Sequence, residues 1–157
     1  MIHQFRYGEM PWHGELYAAI LGEQREAPHS ALGVASGKTW SGRKRIQQHP
    51  AAAELLALFL TRLLEVTGTK EWELSAWANV TSKGGACGEH DHLAKGNAWS
   101  GVYYLTGGAP IIFHAPRLTI TPEPGLLIVF PASERHSVAV QVQGAPRVSV
   151  AMNAAAI

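Results

Sequence analysis

Leu126-Leu127-Ile128-Val129-Phe130, entered through Pro124-Gly125 and left through Pro131, is a short apolar run rich in branched and aromatic residues. Bounded in this way by Gly and Pro, it reads as a β-strand. The same pattern recurs on both sides of it, at residues 72–80, 100–105, 110–113, 137–142 and 147–152, again with Gly, Pro and Asn between the runs. Short strands at such spacing predict a sandwich, barrel or jelly roll. The closing Ala154-Ala155-Ala156-Ile157 is expected to fray.

Upstream of the strands the period changes. Leu55, Leu56, Phe59, Leu60, Leu63 and Leu64 recur at three- and four-residue spacing, which is one apolar face of a helix. Pro50 suits its start and Gly68 its stop, so a helix is expected over residues 50–67. Residues 1–49 mix Trp, Gly, Pro and polar residues; a short helical turn is expected at 15–21, and loop or extended chain at 31–40. The whole of 1–157 is expected to be a single domain, mainly β with a flanking helix.

Composition narrows the classes. A chain of 157 residues with 46% hydrophobic and 16% charged residues can bury a core and is not a disordered segment. A net charge of +1 gives no electrostatic reason to expect nucleic acid or an anionic membrane as partner. Arg43-Lys44-Arg45 is read as a solvated patch. A single cysteine, Cys87, rules out an intrachain disulfide and suits a reducing compartment. No stretch approaches a membrane span, and the first residues lack the apolar run of a signal peptide. The expectation is a soluble, cytoplasmic protein; the sequence leaves a homodimer through a sheet edge open.

The chemistry is concentrated around Glu89-His90-Asp91-His92, just ahead of a predicted strand. On extended chain alternate residues share a face, so His90 and His92 point one way and Glu89 and Asp91 the other. Two imidazoles on one face are a natural pair of metal ligands. A third, His136, follows Phe130-Pro131, and eleven residues beyond it comes Arg147-Val148-Ser149. Arg binds a carboxylate bidentately and stays charged at any working pH. Ser149, two residues along the strand, shares its face.

Taken in order, His90-x-His92, Ser100-Gly101-Val102-Tyr103-Tyr104-Leu105, Phe130-Pro131-x4-His136-x-Val138 and Arg147-x-Ser149-x3-Asn153 resemble the 2-oxoglutarate/iron(II) oxygenases related to prolyl hydroxylases. Trp77-Ala78-Asn79-Val80, Gly37-x2-Trp40-Ser41 and Phe113-His114-Ala115-Pro116-Arg117 fit the same group, and the resemblance spans roughly residues 30–154. It implies a double-stranded β-helix (jelly-roll) core over 71–154. It also implies an iron(II) site, 2-oxoglutarate as co-substrate and O2 as oxidant, with release of succinate and CO2. By position His90 and His136 match the two metal histidines, and His92 stands where the wider superfamily has a carboxylate. A bulge would bring in Asp91 instead; the sequence leaves both open. For the co-substrate, Arg147 would pair with the distal carboxylate, with Ser149, Tyr104 and Asn79 beside it. Tyr103 would face the other side of the sheet. The substrate, a small molecule or a peptide, is not identified, and residues before 50 and at 93–97 are its expected walls. Two alternatives stand: a three-histidine, cupin-like metalloenzyme that does not use 2-oxoglutarate, and a catalytically silent metal- or ligand-binding jelly roll.

The remaining candidates have plainer readings. Trp77, Trp99, Val102 and Phe130 are expected in the core, and Cys87 as a small buried residue. His114 either lines the substrate entrance or faces solvent; Arg117 either faces the substrate or is a surface charge. His3, His13, His29 and His49 show no spacing and are read as surface.

Overall fold

The computed structural model describes residues 1–28, 38–42 and 46–157. His29, Gly37 and the Arg43-Lys44-Arg45 cluster lie outside the described residues. Among the described residues ten strands form two antiparallel sheets. They are β1 (His3–Arg6), β2 (Thr39–Ser41), β3 (Trp72–Thr81), β4 (Cys87–His90), β5 (Asn97–Tyr104), β6 (Ile111–His114), β7 (Arg117–Ile120), β8 (Leu126–Pro131), β9 (His136–Val138) and β10 (Arg147–Ala156). The larger sheet runs β1-β8-β5-β10-β3-β2 and the smaller β4-β9-β6-β7. Among the described residues there are two α-helices, α1 (His13–Glu26) and α2 (Ala53–Thr67).

The period of two along β10 explains the layering. Val148, Val150, Met152 and Ala154 join Val80, Tyr103, Leu127 and Val129 in an apolar layer with Leu16 and Ile20 of α1 and Leu55, Phe59 and Leu63 of α2. Arg147, Ser149, Ala151 and Asn153 alternate with them and so face the smaller sheet. On that side Val102, Tyr104, Ile128 and Phe130 pack with Ile111, Phe113 and Ile120. Tyr103 and Tyr104 therefore serve opposite faces, as their adjacency requires. Fully burying Leu55, Phe59 and Leu63 on α2 contributes about 2 kcal/mol each. Gly68, at φ 75°, ends that helix in the left-handed conformation, with its N–H on Leu64 O. A 3-10 turn at Pro50–Ala52 precedes it.

Four expectations are corrected. The first helix is not a turn at 15–21 but fourteen residues, His13–Glu26. Its buried positions His13, Leu16, Ile20 and Glu23 keep helical spacing, but only two of them are apolar, which hides the face. His13 is not a surface residue. It is 8% exposed, with Nδ1 at 3.1 Å from Tyr103 Oη and Nε2 at 3.0 Å from Leu105 O. The chain end does not fray, because Ala154, Ala155 and Ala156 pair with Leu74, Glu73 and Trp72 of β3. Ladder pairing there outweighs alanine's weak strand propensity. Finally, the strand expected over 137–142 stops at Val138. Beyond it the backbone still donates, from Ala139 N to Pro110 O and from Gln141 N to Gly85 O, without a regular ladder. The buried Gln141 side chain accepts from Ala109 N and donates to Ala145 O, while Val140 and Val142 are exposed.

Candidate metal centre and its cavity

His90 and His136 are direct partners in the β4–β9 pair. His92 lies just past β4, and its backbone N–H donates to Ala132 O, tying it to the turn between β8 and β9. The three rings meet, with centroids 4.4 Å apart for His90–His136, 5.0 Å for His90–His92 and 4.9 Å for His92–His136. One ligand atom from each lies within 4.8 Å of the others. His90 Nδ1 is 2.7 Å from Gly88 O and His136 Nδ1 is 2.9 Å from Glu134 O. A carbonyl only accepts, so both Nδ1 atoms carry the proton and both Nε2 lone pairs face the cluster. This is the outer-shell arrangement that orients metal-binding histidines.

His92 Nε2 and His136 Nε2 are 3.1 Å apart. Two nitrogens at ~2.1 Å from one ion, at angles from square to tetrahedral, are separated by about 3.0–3.4 Å, so the spacing suits a shared metal. Burial, reinforced by the neighbouring imidazoles, holds His92 down to about 3. Burial is also the largest influence on His136, which is lowered to about 4. Both rings are therefore neutral, as a ligand must be, throughout the physiological range. Phe113 and Phe130 pack against His136, and Trp77 against His92. Three imidazoles suit iron, nickel, copper or zinc rather than magnesium or calcium.

Asp91 does not join the cluster. Its carboxylate and that of Glu89 are held instead by Arg135: Nε donates to Glu89 Oε1 at 3.0 Å and Nη1 to Asp91 Oδ2 at 3.3 Å.

From the histidines a cavity of about 240 Å³ runs between the sheets. At its other end lies Arg147, 4% exposed. Its Nε donates to Ala109 O at 2.8 Å and its Nη2 to Tyr104 Oη at 3.3 Å, and the guanidinium lies 5.0 Å from the centroid of the Tyr104 ring. Among the described residues no carboxylate pairs with it. A buried charge without a counter-ion is costly, so this end of the cavity calls for an anion. Burial raises the Tyr104 phenol against the pull of Arg147, so the hydroxyl keeps its proton.

Registry assembles the rest. Ser149 is opposite Tyr104 on one side and Asn79 on the other, and Asn79 is opposite Ser41. The four make one row across four strands, all lining the cavity, with Ser41 Oγ donating to Asn79 Oδ1 at 2.6 Å. The candidate metal ligands and co-substrate contacts of the sequence thus border one cavity: His90, His92, His136, Arg147, Ser149, Tyr104 and Asn79.

Some readings change. Trp77 is not simply core; it is half-buried and lines this cavity and a second one beyond His92. Cys87 is half-buried and lines the cavity, with its Sγ 3.8 Å from His90 Nδ1; burial raises its thiol pKa. Thr39 and Thr81, which drew no notice in the sequence, also line the cavity; Glu73, Ser75, Trp77, Asn79 and Thr81 share a face of β3 by simple alternation. His114 is on β6, with Nε2 2.9 Å from Ser137 Oγ, and Arg117 is exposed. Val102 and Phe130 are core residues that also border the cavity, and Trp99 is half-buried.

No protein-family model and no curated protein matches the sequence. Solved structures do match its fold. A prolyl-4-hydroxylase of Pseudomonas putida aligns over 99% of this chain and 92% of its own, with a TM-score of 0.75 and 16% identity. The viral collagen prolyl hydroxylase of Paramecium bursaria Chlorella virus-1, solved with 2-oxoglutarate, aligns over 99% and 96%, at 0.76 and 12%. HygX of Streptomyces hygroscopicus, solved with nickel and 2-oxoglutarate, aligns over 99% and 82%, at 0.70 and 9%. The fold is the double-stranded β-helix of these proteins.

Proposed function

We propose that this protein is a non-haem iron(II)- and 2-oxoglutarate-dependent oxygenase that hydroxylates a small molecule or peptide. The observation that carries this reading is the buried, uncompensated Arg147 at one end of a cavity whose other end holds three converging imidazoles. A dicarboxylate fits between them. One carboxylate would take the guanidinium and the Tyr104 hydroxyl, with Ser149 and Asn79 alongside, and its other end would reach the metal. The neighbours solved with 2-oxoglutarate support the same assignment.

Iron(II), bound by His90, His92 and His136, would supply the redox chemistry, in which O2 is consumed and 2-oxoglutarate leaves as succinate and CO2. The chain's own part is orientation and exclusion of water. Gly88 O and Glu134 O fix the tautomers of His90 and His136. Arg147 and Tyr104 set the co-substrate's register. Val102, Ile111, Phe130 and Val138 keep the cavity wall apolar.

The alternative three-histidine metalloenzyme without 2-oxoglutarate draws support from His92 itself, which gives the metal no negative ligand. It leaves Arg147 without an anion, and we favour the oxygenase for that reason. A cytoplasmic location belongs to this reading and rests on the single cysteine; among the described residues no helix is long and apolar enough to cross a membrane.

The test is an oxygen-free titration of 2-oxoglutarate into iron(II)-loaded protein, followed by the visible charge-transfer band of the chelate. Its appearance, and its loss in Arg147→Ala, is the expected result. Bound iron with no band would favour the three-histidine alternative; no iron binding would end the oxygenase reading.

A further inference from the structure

The inner face of the large sheet does not end at the metal centre. Along β3 it continues from Trp77 to Ser75 and Glu73, and along β10 from Ala151 to Asn153 and Ala155, in register. Over this stretch lies a second cavity of about 320 Å³, and Trp77 and His92 line both cavities. His92 and Trp77 thus stand at the boundary, with the Arg147 cavity on one side and this one on the other. We infer that the second cavity holds the primary substrate, and that it takes a zwitterion of amino-acid to dipeptide size. The inference rests on the oxygenase reading, which gives the first cavity to 2-oxoglutarate.

Size sets the first limit. The volume lies at the small end of small-molecule sites. Trp77 and Glu73 are four residues apart on a strand, or about 13 Å, which bounds a ligand reaching from the metal to the far rim.

Charge sets the second. Asp91 borders the cavity, but Arg135 and the Leu93 N–H already engage it. Glu73 borders it too, exposed and with no ion pair among the described residues. Lys95 faces the same space from the turn before β5, also without an ion pair there. That turn is tight: Lys95 is left-handed at φ 63°, and Gly96 follows at φ 75°. Asn153, 6% exposed, spends its Oδ1 on Ser100 Oγ at 2.8 Å, so its amide nitrogen remains to donate. Asn97 borders the cavity as well, with no side-chain hydrogen bond among the described residues. The walls therefore offer one free carboxylate, one free ammonium and amide donors from Asn153 and Asn97. Glu73 would take an ammonium group, and Lys95 and Asn153 a carboxylate. The stem between those charges and the reacting atom would run along the Trp77 ring toward His92.

Protein loaded with redox-inert nickel(II) is titrated first with 2-oxoglutarate and then with the common free L-amino acids and a set of dipeptides, by calorimetry. The best binder is compared with its decarboxylated and deaminated analogues. A saturable one-to-one zwitterion is expected, weakened about tenfold by Glu73→Gln, by Lys95→Gln and by loss of either charge from the ligand. The affinity for 2-oxoglutarate should be unchanged in both variants. If 2-oxoglutarate binds but no zwitterion does, or if neither variant weakens the best binder, the inference is overturned while the oxygenase reading stands. If 2-oxoglutarate fails to bind the nickel-loaded protein, the reading falls and takes the inference with it.

Discussion

Asp91 and Arg135 are paired beside the segment that carries His90 and His92, with Arg135 Nη1 donating to Asp91 Oδ2 at 3.3 Å. Of the two second-ligand candidates left open by the alternation His90-Asp91-His92, His92 is the one that converges with His90 and His136, while Asp91 is engaged by Arg135. With its carboxylate so engaged, Asp91 contributes to the centre only a field from outside. Loss of an outer-shell partner typically weakens a metal site by ~10–100-fold, and loss of a ligand by at least that much. His92→Ala should therefore lower the affinity for metal by about 100-fold or more, whereas Asp91→Asn should change it by less than about tenfold. Competition against a chromophoric chelator measures both. A larger loss in Asp91→Asn than in His92→Ala would mean that Asp91 swings inward when metal binds.

Arg147 has opposite consequences for the empty and the liganded protein. A buried cation without a counter-ion destabilises the fold, yet the same charge would bind the co-substrate carboxylate. Arg147→Met, which keeps much of the volume, should leave the melting temperature of the ligand-free protein unchanged or higher. Charge-assisted hydrogen bonds contribute about 1.5–3 kcal/mol, so its affinity for 2-oxoglutarate should fall by about 10–100-fold. Thermal melts with and without 2-oxoglutarate read both effects. Equal 2-oxoglutarate affinity in the variant would remove Arg147 from the site.

Much of this was legible because β-structure repeats every two residues. Once residues 147–152 and 72–80 are read as strands, Arg147, Ser149 and Asn79 must share faces, and the fold brings those faces together. The histidine cluster followed from the same rule. Where side chains did not carry the pattern, the sequence was silent. Cys87-Gly88-Glu89-His90 has no apolar alternation, yet it pairs with β9 because the ladder is made by backbone. The alanines at 154–156 look featureless and still form ladder. His13 looks like a surface histidine until Tyr103 and Leu105 supply partners for both of its nitrogens. Trp77 was read as core because nothing local distinguishes a tryptophan that fills a core from one that divides two cavities.

Gly101, in the middle of β5, owes its identity to the helix behind it. A Cβ built there would stand 2.8 Å from Phe59 Cε1 and 3.1 Å from Cδ1. Phe59 is itself fully buried between α2 and the sheet, so its ring has little room to withdraw. Overpacking of this kind typically costs ~1–3 kcal/mol. Gly101→Ala should be destabilised by about that amount in urea, and the double variant Gly101→Ala with Phe59→Leu should recover part of the loss. A single variant as stable as the parent would mean that α2 shifts freely over the sheet, against the close packing of this layer.

The metal-free protein should lose stability in mild acid. His92 and His136 are held to about 3 and about 4 in the folded state, chiefly by burial, whereas an unfolded histidine titrates near ~6.5. Between those limits the unfolded chain binds more protons than the folded one, so stability rises with pH across that interval. The contribution of the two rings is fully present above about 6.5 and is lost progressively as pH falls toward about 4. Urea midpoints of chelator-treated protein should therefore drop between neutral pH and about 4.5, and His92→Gln/His136→Gln should drop less over the same interval. Bound metal should deepen the dependence, because protons then compete with the ion for the same lone pairs. An equal fall in the double variant would assign the acid sensitivity to other groups and would remove the argument that these rings are buried in neutral form.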